Sequence, residues 1–440
     1  MKSFFRQVFA MIRDNKLFSA IYIVGTAVAI AFTMVMVIAN YVKIAPVYPE
    51  INRMRTMYLN TSVYVDSIHS STMGSGFSPE ALNEWGYHLK NAEIVSGNVR
   101  NMGMIRTEGD THDYLVNMIF TDVNFFKVYP FRFKEGRPFT QEEFDGGVRV
   151  AVISDEQARK VYGSDKGVVG RTLFVNADTM RVVGVVESAS PFTYHSYAQV
   201  YTPYSLWRFW PQPEQPYLGS LAITMVLPDA NGEQALREEI EDVVRRHNLQ
   251  NGEWQLKLNG QPVSHVQDAL FKKDYFNEDG ETNPIVDFIK KYMLILVVLL
   301  VVPALNLSGM IARRMEIRMA EMGVRKAFGA TRGRLLRQII NENLLLTLLG
   351  GVLGLLLSWV VFYVFHTWIF ALVDDNFCRN SNMGFLDTGQ LNTMSWEMFF
   401  SPFLFICVFL FCFVLNLLSA LVPAWLSLRK PIVNSMNVKR

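Results

Sequence analysis

The side chains that most often carry out catalysis or bind metals are scattered in this sequence. Its seven histidines never occur at the HxH or HxxxH spacing that directs two imidazoles at one metal ion. Its three cysteines form no CxxC pair, so neither a zinc site nor a redox motif is indicated. The phosphate-binding pattern GxxxxGK[ST] and the nucleophile pattern GxSxG are both missing. We therefore predict no catalytic residue, no metal site and no cofactor held by the chain itself.

A dense cluster of basic side chains lies between two uncharged, apolar runs. The segment RRMEIRMAEMGVRKAFGATRGRLLRQII, from residue 313, carries eight Lys and Arg side chains. Met319 and Met322 share one face of a predicted helix, where flexible thioethers form an adaptable contact surface. Gly329 suits the left-handed conformation that ends a helix, and Thr331 is an acceptable N-cap for the next one.

Three roles suit such a basic segment: anchoring to anionic lipid, binding of nucleic acid, and contact with a cytoplasmic protein. Nucleic acid is disfavoured because the segment is tethered flat against a membrane. Composition alone favours lipid anchoring. The methionine face and the glycine break make a protein-docking surface about equally favoured.

Four segments are long and apolar enough to cross a bilayer. Uncharged runs cover residues 17–42, 292–312, 343–373 and 398–428, and a membrane-spanning helix needs roughly 20 apolar residues. Lys and Arg are concentrated before the first run, in the basic segment and after the last run, which assigns these parts to the cytoplasm. The predicted segments are a cytoplasmic amphipathic helix (1–16), four spans (17–40, 285–312, 335–370 and 402–428), an outer domain (41–284), a cytoplasmic basic segment (313–334), an external loop (371–401) and a cytoplasmic tail (429–440).

Composition and charge agree with a protein that lies partly in the membrane and partly in water. Hydrophobic residues make up 50% of the chain and charged residues 19%. Residues 43–281 carry 23 basic and 31 acidic side chains, so an acidic middle is flanked by basic ends. We predict an α-helical four-span bundle with a large α+β domain inserted between the first two spans.

The predicted outer domain alternates between strand and helix patterns. One strand–helix–strand pattern occupies residues 54–106, with Ser78 as the helix N-cap, and a second occupies residues 220–259. The stretch between them is rich in strand patterns, with a short capped helix at 154–163 and a hairpin turning near Ala177–Asp178. We therefore expect one lobe built from βαβ-type units and one lobe that is mostly β.

Glycines of the third predicted span suggest a close helix contact. Gly350 and Gly354 form a GxxxG pair, which lets two helix backbones approach closely in lipid. We predict that these two residues form a transmembrane packing face. Glu342 lies at the cytoplasmic entrance of the same span, where a structural pairing is favoured over ion transport.

Four separate stretches resemble permeases of the FtsX/MacB type of ABC transporter. The basic segment and its continuation, EIRMAEMGVRKAFGATRGRLLRQIINENLLLTLLGGVLG, resemble the signature of that family. LFSAIYIVGTAVAIAF is similar to the family's first span, and SALVPAWLSLRKPIVNSM is similar to its end. YPFRFKEGRPFT together with VRVAVISDEQARKVYG resembles the periplasmic core domain of MacB-type proteins.

This resemblance implies a bacterial inner-membrane permease that passes motion to its periplasmic domain and does not itself hydrolyse ATP. Only sixteen residues precede the first span, so ATP and Mg are expected on a separate cytoplasmic ABC ATPase. The resemblance also implies a dimer, with a second copy or a related permease. The residues implied to couple the ATPase to the spans are Glu316, Met319, Met322, Gly323, Arg325, Lys326, Gly329 and Thr331.

The output of such a complex is left open by the sequence. The size of the outer domain favours export or extraction of an unknown substrate, as in MacB-like efflux. An FtsX-like alternative is signalling to a periplasmic partner, such as an adaptor or a cell-wall hydrolase. A membrane receptor or scaffold without an ATPase is a further alternative. Membrane lipid is an expected partner of the chain and nucleic acid is not.

Overall fold

The chain divides into two compact units, each described by itself. The computed structural model describes residues 16–66, 68–69, 71–209, 215–250, 253–270, 324, 328–373, 403, 405–411 and 413–414. A helical unit contains residues 1–40, 289–374 and 399–440, and an α/β unit contains residues 41–288 and 375–398. The predicted N-terminal amphipathic helix, second span and external loop lie almost entirely outside the described residues, as does the predicted tail.

The α/β unit is built on short strands joined by short helices. Its strands are β1 (Thr56–Leu59), β2 (Ser62–Asp66), β3 (Ser71–Phe77), β4 (Ile94–Thr107), β5 (Tyr114–Thr121), β6 (Phe133–Gly136), β7 (Val150–Ser154), β8 (Thr172–Val175), β9 (Asp178–Val186), β10 (Val200–Pro203), β11 (Leu218–Gly219), β12 (Ala222–Val226), β13 (Trp254–Lys257) and β14 (Val263–Ser264). Its helices are α2 (Pro79–Glu84), α3 (Phe125–Val128), α4 (Gln141–Asp145), α5 (Asp155–Tyr162), α6 (Glu233–Gln250) and α7 (His265–Leu270), with 3-10 turns at Arg53–Arg55, Gly86–His88 and Tyr204–Leu206.

Two sheets organise these strands. The larger sheet has the order β14-β1-β12-β4-β5-β10-β7-β9-β6, with β8 paired to both β4 and β9. The smaller sheet has the order β11-β3-β2-β13. Strand β4 is long enough to pair with β12, β5 and β8. The expected βαβ-type and β-rich lobes are therefore joined by one continuous sheet.

The predicted βαβ units have different outcomes. Strands β1 and β4 both pair antiparallel with β12, so they run parallel to each other with one strand between them, as in a split βαβ unit. The prediction of a second unit from β12 through α6 to β13 is wrong, because β13 pairs with β2 in the smaller sheet. Helix α6 thus connects the two sheets.

Local capping predictions in this unit are confirmed. The Ser78 side chain accepts a hydrogen bond from Ala81 N at the start of α2. Ser154 caps α5 in the same way, and Gly163 ends that helix in the left-handed conformation at φ 74°. The hairpin predicted near residue 177 joins β8 to β9. These features were predictable because each depends on neighbours a few residues away.

Two clusters of buried side chains form the interior of the α/β unit. One contains Leu82 from α2 with Leu236 and Ile240 from α6, packed with side chains of both sheets. The other is rich in aromatic rings, with Phe125 stacked on Phe131 at 6.2 Å and Phe131 edge-on to Tyr201 at 5.1 Å. Burial of these apolar surfaces supplies the main driving force for folding the unit.

The helical unit contains two long apolar helices in its described part. Helix α1 (Lys16–Ile44) continues into the α/β unit at its last turn, and α8 (Arg332–Val373) belongs wholly to the helical unit. Within them, Ser19–Ile44 and Leu344–Phe365 are long and apolar enough to cross a membrane. These two segments fall in the first and third predicted spans.

Small residues allow α1 and α8 to pack closely. A Cβ added to Gly350 would lie 2.8 Å from Cβ of Thr26, and one added to Gly354 would lie 2.7 Å from the carbonyl oxygen of Ala27. Nearby, the hydroxyls of Tyr22 and Thr347 form a buried hydrogen bond of 3.0 Å. The glycine pair predicted as a packing face therefore lies against the first apolar helix.

We expect Gly354→Ala to destabilise the protein, because the new methyl group meets a backbone oxygen that cannot move aside. Overpacking of this kind costs about 1–3 kcal/mol. Gly333→Ala is the matched control, since it lies on the same helix and a Cβ there meets nothing within 4 Å. The measurement is thermal unfolding of the full-length chain in detergent. Equal melting temperatures for the two variants would contradict close packing at Gly354.

Candidate functional site

A buried arginine of the α/β unit, Arg53, donates hydrogen bonds to the carbonyl groups at the end of α1. Nη1 of Arg53 donates to the carbonyl oxygens of Val42 at 2.8 Å and Ala45 at 2.7 Å. Nη2 donates to the carbonyl oxygen of Phe192 at 3.2 Å, and Nε donates to Oε2 of Glu50 at 2.8 Å. The arginine is only 2% exposed. A positive charge is favourable here because the carbonyl end of a helix carries partial negative charge.

Glu50 balances this buried charge and connects it to a distant loop. Its side chain is 1% exposed, and Oε1 accepts hydrogen bonds from both N and Oγ of Ser196, each at 2.9 Å. Burial would raise the pKa of this carboxyl, but Arg53 and two nearby imidazoles lower it to about 2. Glu50 is therefore an anion with a fixed partner on each oxygen.

A histidine binds the same helix end from another direction. Nε2 of His265, at the start of α7, lies 2.8 Å from the carbonyl oxygen of Lys43, which can only accept. Nδ1 lies 3.0 Å from the hydroxyl of Tyr58 on β1. In a neutral ring the proton is then on Nε2, and Tyr58 donates to Nδ1. Burial and the adjacent Arg53 lower the pKa of His265 to about 4, which agrees with a neutral ring.

A second histidine extends the network to the turn after β1. The ring of His195 stacks on Tyr58 with centroids 3.8 Å apart. Its Nε2 lies 2.9 Å from Oδ2 of Asp268, and Oδ1 of Asp268 accepts from Nδ2 of Asn60 at 2.8 Å. Burial would raise the pKa of Asp268, but His195 and the other polar neighbours lower it.

We call this network the polar joint; its members are Glu50, Arg53, Tyr58, Asn60, His195, Ser196, His265 and Asp268. It satisfies the carbonyl groups of Val42 and Lys43, which a helix terminus otherwise leaves unpaired. The carbonyl of Tyr41 accepts from Ala45 N at 2.8 Å. Side chains from two separate stretches of the α/β unit, Arg53 and His265, therefore bond the end of α1 directly, and residues 195–196 hold their partners Glu50 and Asp268 in place.

Two members of the joint lie on α7, the last described helix before the second predicted span. Helix α7 supplies His265 and Asp268, and its last residue, Leu270, directly precedes the segment that leads to the second predicted span. The entry from the first apolar helix and the exit toward the second span are thus bonded to one another. Across the described residues, no group of three or more His, Cys, Asp and Glu could hold a metal ion.

Most residues predicted to contact a partner lie outside the described part of the chain. These are Glu316, Met319, Met322, Gly323, Arg325 and Lys326. Gly329 and Thr331 are described: Gly329 has φ 88°, and Oγ1 of Thr331 accepts from Arg334 N at 3.4 Å as α8 begins. The helix break and the N-cap that the sequence predicts are both formed, and their role in coupling stays a prediction.

Sequence reasoning missed Phe328 and the whole polar joint. Phe328 directly precedes Gly329 in the basic segment, and its apolar ring is 88% exposed. A signal was present for the joint as well, because Glu50 and Arg53 occur at i,i+3 spacing soon after an apolar span. The two histidines gave no signal, since their partners are far away in sequence.

Family models match two parts of the chain. Residues 19–243 match the MacB-like periplasmic core domain, and residues 293–432 match the FtsX-like permease C-terminal region. The chain belongs to the FtsX/MacB-like family of ABC transporter permeases. An FtsX/MacB-like permease with two apolar helices and a MacB-like periplasmic α/β domain fits a protein of the inner membrane.

Individual relatives agree with this family assignment. The chain is 27% identical over 310 residues to the macrolide export ATP-binding/permease protein MacB of Escherichia coli strain K12, and 26% identical to MacB of Shigella boydii serotype 4. These matches cover 68% of this chain and 40% of each relative, so the chain spans less than half the length of those proteins.

Among solved structures, the periplasmic region of MacB from Actinobacillus actinomycetemcomitans is similar at 16% identity and a TM-score of 0.32. The match covers 45% of this chain and 87% of that one. The extracellular domain of the ABC-type transporter YknZ from Gram-positive bacteria is similar at 16% identity and a TM-score of 0.33. That match covers 45% of this chain and 100% of that domain.

Replacing Arg53 by Met should strongly destabilise the α/β unit, because it leaves Glu50 charged and unpaired in the interior. Breaking one side of a buried ion pair costs about 3–5 kcal/mol. Arg245→Met is the control, since Arg245 and Asp242 form a pair with the same i,i+3 spacing that is 70% and 56% exposed. That change should cost at most about 1 kcal/mol. The measurement is urea unfolding of the full-length chain, monitored by tryptophan fluorescence. Similar unfolding midpoints for the two variants would contradict a stabilising role of the buried Arg53–Glu50 pair.

His265 should make the unit less stable as the pH falls from about 6.5 to 4. Its pKa is about 4 when folded and 6.5 when unfolded, so in this window only the unfolded chain takes up the proton. The loss approaches roughly 3 kcal/mol at the lower end. His265→Gln keeps a donor for the Lys43 carbonyl but does not titrate. We expect its unfolding free energy to fall less between pH 7 and pH 4.5 than that of the natural chain; equal losses would contradict the assignment.

Proposed function

We propose that this chain is the permease subunit of a MacB-like ABC complex, in which a separate ATPase drives motion of the spans and of the periplasmic domain. The polar joint is the observation that carries the proposal. A helix end fixed by Arg53 and His265 cannot swivel freely, so a displacement of α1 would displace β1 and α7 with it. ATP and Mg would bind to the ATPase and not to this chain.

The turn before α8 supports contact with such an ATPase. The helix that precedes it ends with a hydrogen bond of 3.0 Å from Phe328 N to the carbonyl oxygen of Val324. Gly329 follows in the left-handed conformation at φ 88°, and the ring of Phe328 is exposed. An exposed aromatic ring among basic side chains is typical of an anchor at a protein interface. Glu316, Arg325 and Lys326, which the sequence predicts as polar contacts, would contribute to the same interface.

The topology proposed from the charge pattern fits this role. We propose four spans (17–40, 285–312, 335–370 and 402–428), both termini and the 313–334 segment in the cytoplasm, and residues 41–284 in the periplasm. The Gly350 and Gly354 face of α8 would let the third span move together with the first. A dimer of two such permeases would bring two ATPases together, as ATP-driven closure requires.

Export is the output that we favour. The relatives matched over 68% of this chain are named for macrolide export, and residues 19–243 match the core domain of that type of protein. We therefore propose that the complex moves a substrate from the outer face of the inner membrane, with a periplasmic adaptor as a further partner. Signalling to a hydrolase stays the alternative, with no described residue favouring it.

The proposal predicts that Phe328 anchors the ATPase. The chain would be co-expressed with each ABC ATPase of the same genome that lacks its own membrane spans, and the complexes purified. Phe328→Ser should reduce the recovered ATPase by about tenfold, because a buried aromatic anchor at an interface is worth 1–2 kcal/mol or more. Leu249→Ser is the control, since Leu249 is also exposed (81%) but belongs to the α/β unit.

The same preparations also test the complex itself. Failure of every ATPase to co-purify with the unchanged chain would overturn the permease role. Equal recovery with Phe328→Ser would overturn the placement of the contact. In the co-purifying complex, the rate of ATP hydrolysis should depend on the chain being present.

A further inference from the structure

A polar cleft lies in the α/β unit away from the members of the polar joint. Its volume is about 620 Å³, which is within the range of small-molecule sites. The elements around it are the start of α2, the 3-10 turn Gly86–His88, the first residues of β4, the turn into α3, helix α4, and the 3-10 turn Tyr204–Leu206. The cleft therefore lies at one edge of the large sheet, where β4 and β7 begin and β5 and β10 end.

A buried carboxylate forms part of the cleft lining. Asp122 is 2% exposed and accepts four hydrogen bonds, two on each oxygen. Its donors are Ser96 Oγ at 2.7 Å, Gly97 N at 3.0 Å, Phe125 N at 3.1 Å and Tyr87 Oη at 2.6 Å. All four donors are uncharged. Burial raises the pKa of Asp122, and the four donors oppose that rise.

Aromatic rings line the cleft beside this carboxylate. Tyr87 is 36% exposed, and donation of its hydroxyl proton to Asp122 makes its ring richer in electrons. Phe144 on α4 packs edge-on against Tyr204, with centroids 4.8 Å apart and planes at 87°. The faces of electron-rich rings attract organic cations.

The charge of the lining is negative. Four lining side chains are charged: Glu93, Asp122, Asp145 and Lys127. Glu93 is paired with Arg55, and Nζ of Lys127 donates to Oδ1 of Asn124 at 3.0 Å. Asp145 lies on the same helix as Phe144 and is exposed. A cation entering the cleft would therefore meet the exposed carboxylate of Asp145 directly and be attracted by the buried carboxylate of Asp122 from a longer distance. Neither carboxylate has a basic partner among its hydrogen bonds and ion pairs in the described structure.

We propose that this cleft binds an organic cation, an ammonium or guanidinium group on an apolar body, against the rings of Tyr87 and Phe144, with its charge next to the carboxylate of Asp145 and attracted at longer range by the buried carboxylate of Asp122. The rings would cover the apolar body and the carboxylates would hold the charge. That such a cation is also the exported molecule rests on the proposed function. Binding itself does not depend on it.

The test uses the full-length chain in nanodiscs of phosphatidylcholine, without any ATPase. Benzyltrimethylammonium is the probe, phenylacetate is its anionic counterpart, and saturation-transfer NMR measures binding against empty nanodiscs. We expect saturable binding of the cation, at least about tenfold tighter than that of phenylacetate. Asp145→Asn should weaken cation binding about fivefold, and Phe144→Leu should weaken it as well.

Glu142→Gln is the matched control, because it removes one carboxylate from the same helix at a residue that does not line the cleft. It should leave cation binding unchanged. No saturable binding, equal binding of the two probes, or equal effects of Asp145→Asn and Glu142→Gln would each overturn the proposal. Because no ATPase is present, a negative result leaves the permease role standing, and loss of the ATPase contact leaves cation binding standing.

Discussion

The structure of the α/β unit depends on one requirement: a charged guanidinium removed from water must have its hydrogen bonds filled. Arg53 meets it with three backbone carbonyls and one carboxylate. Two of those carbonyls belong to the end of α1 and the residue just beyond it, so the arginine can be buried only while the helix end stays in place. The positive charge of Arg53 also stabilises the carboxyl end of α1, which carries partial negative charge.

A buried ion pair is a poor source of net stability, because desolvation offsets much of the attraction. Its value here lies in specificity. Arg53, Glu50 and His265 permit one arrangement of residues 42–45 within the α/β unit, because any other would leave a buried charge without its partner.

The sequence predicts those parts of the fold that depend on near neighbours. Ser78 caps α2, Ser154 caps α5 and Gly329 breaks the helix before α8, all within one turn of the residues they serve. The pairing of β13 with β2 was not predictable from periodicity, because partner choice is decided by packing across the whole unit. The joint was hidden for the same reason: Glu50 and Ser196 are 146 residues apart, and Lys43 and His265 are 222 apart.

The polar joint and the cleft share a single turn of chain. Arg53 and Arg55 both lie in the 3-10 turn before β1; Arg53 holds the end of α1, and Arg55 is paired with Glu93 in the lining of the cleft. Arg55 also donates to the carbonyl oxygen of Leu227 at 2.9 Å, just after β12. A displacement of the helix end that moved this turn would therefore displace Glu93 as well. Within the α/β unit, the turn Arg53–Arg55 thus connects the residues that bond the end of α1 with a residue that lines the cleft.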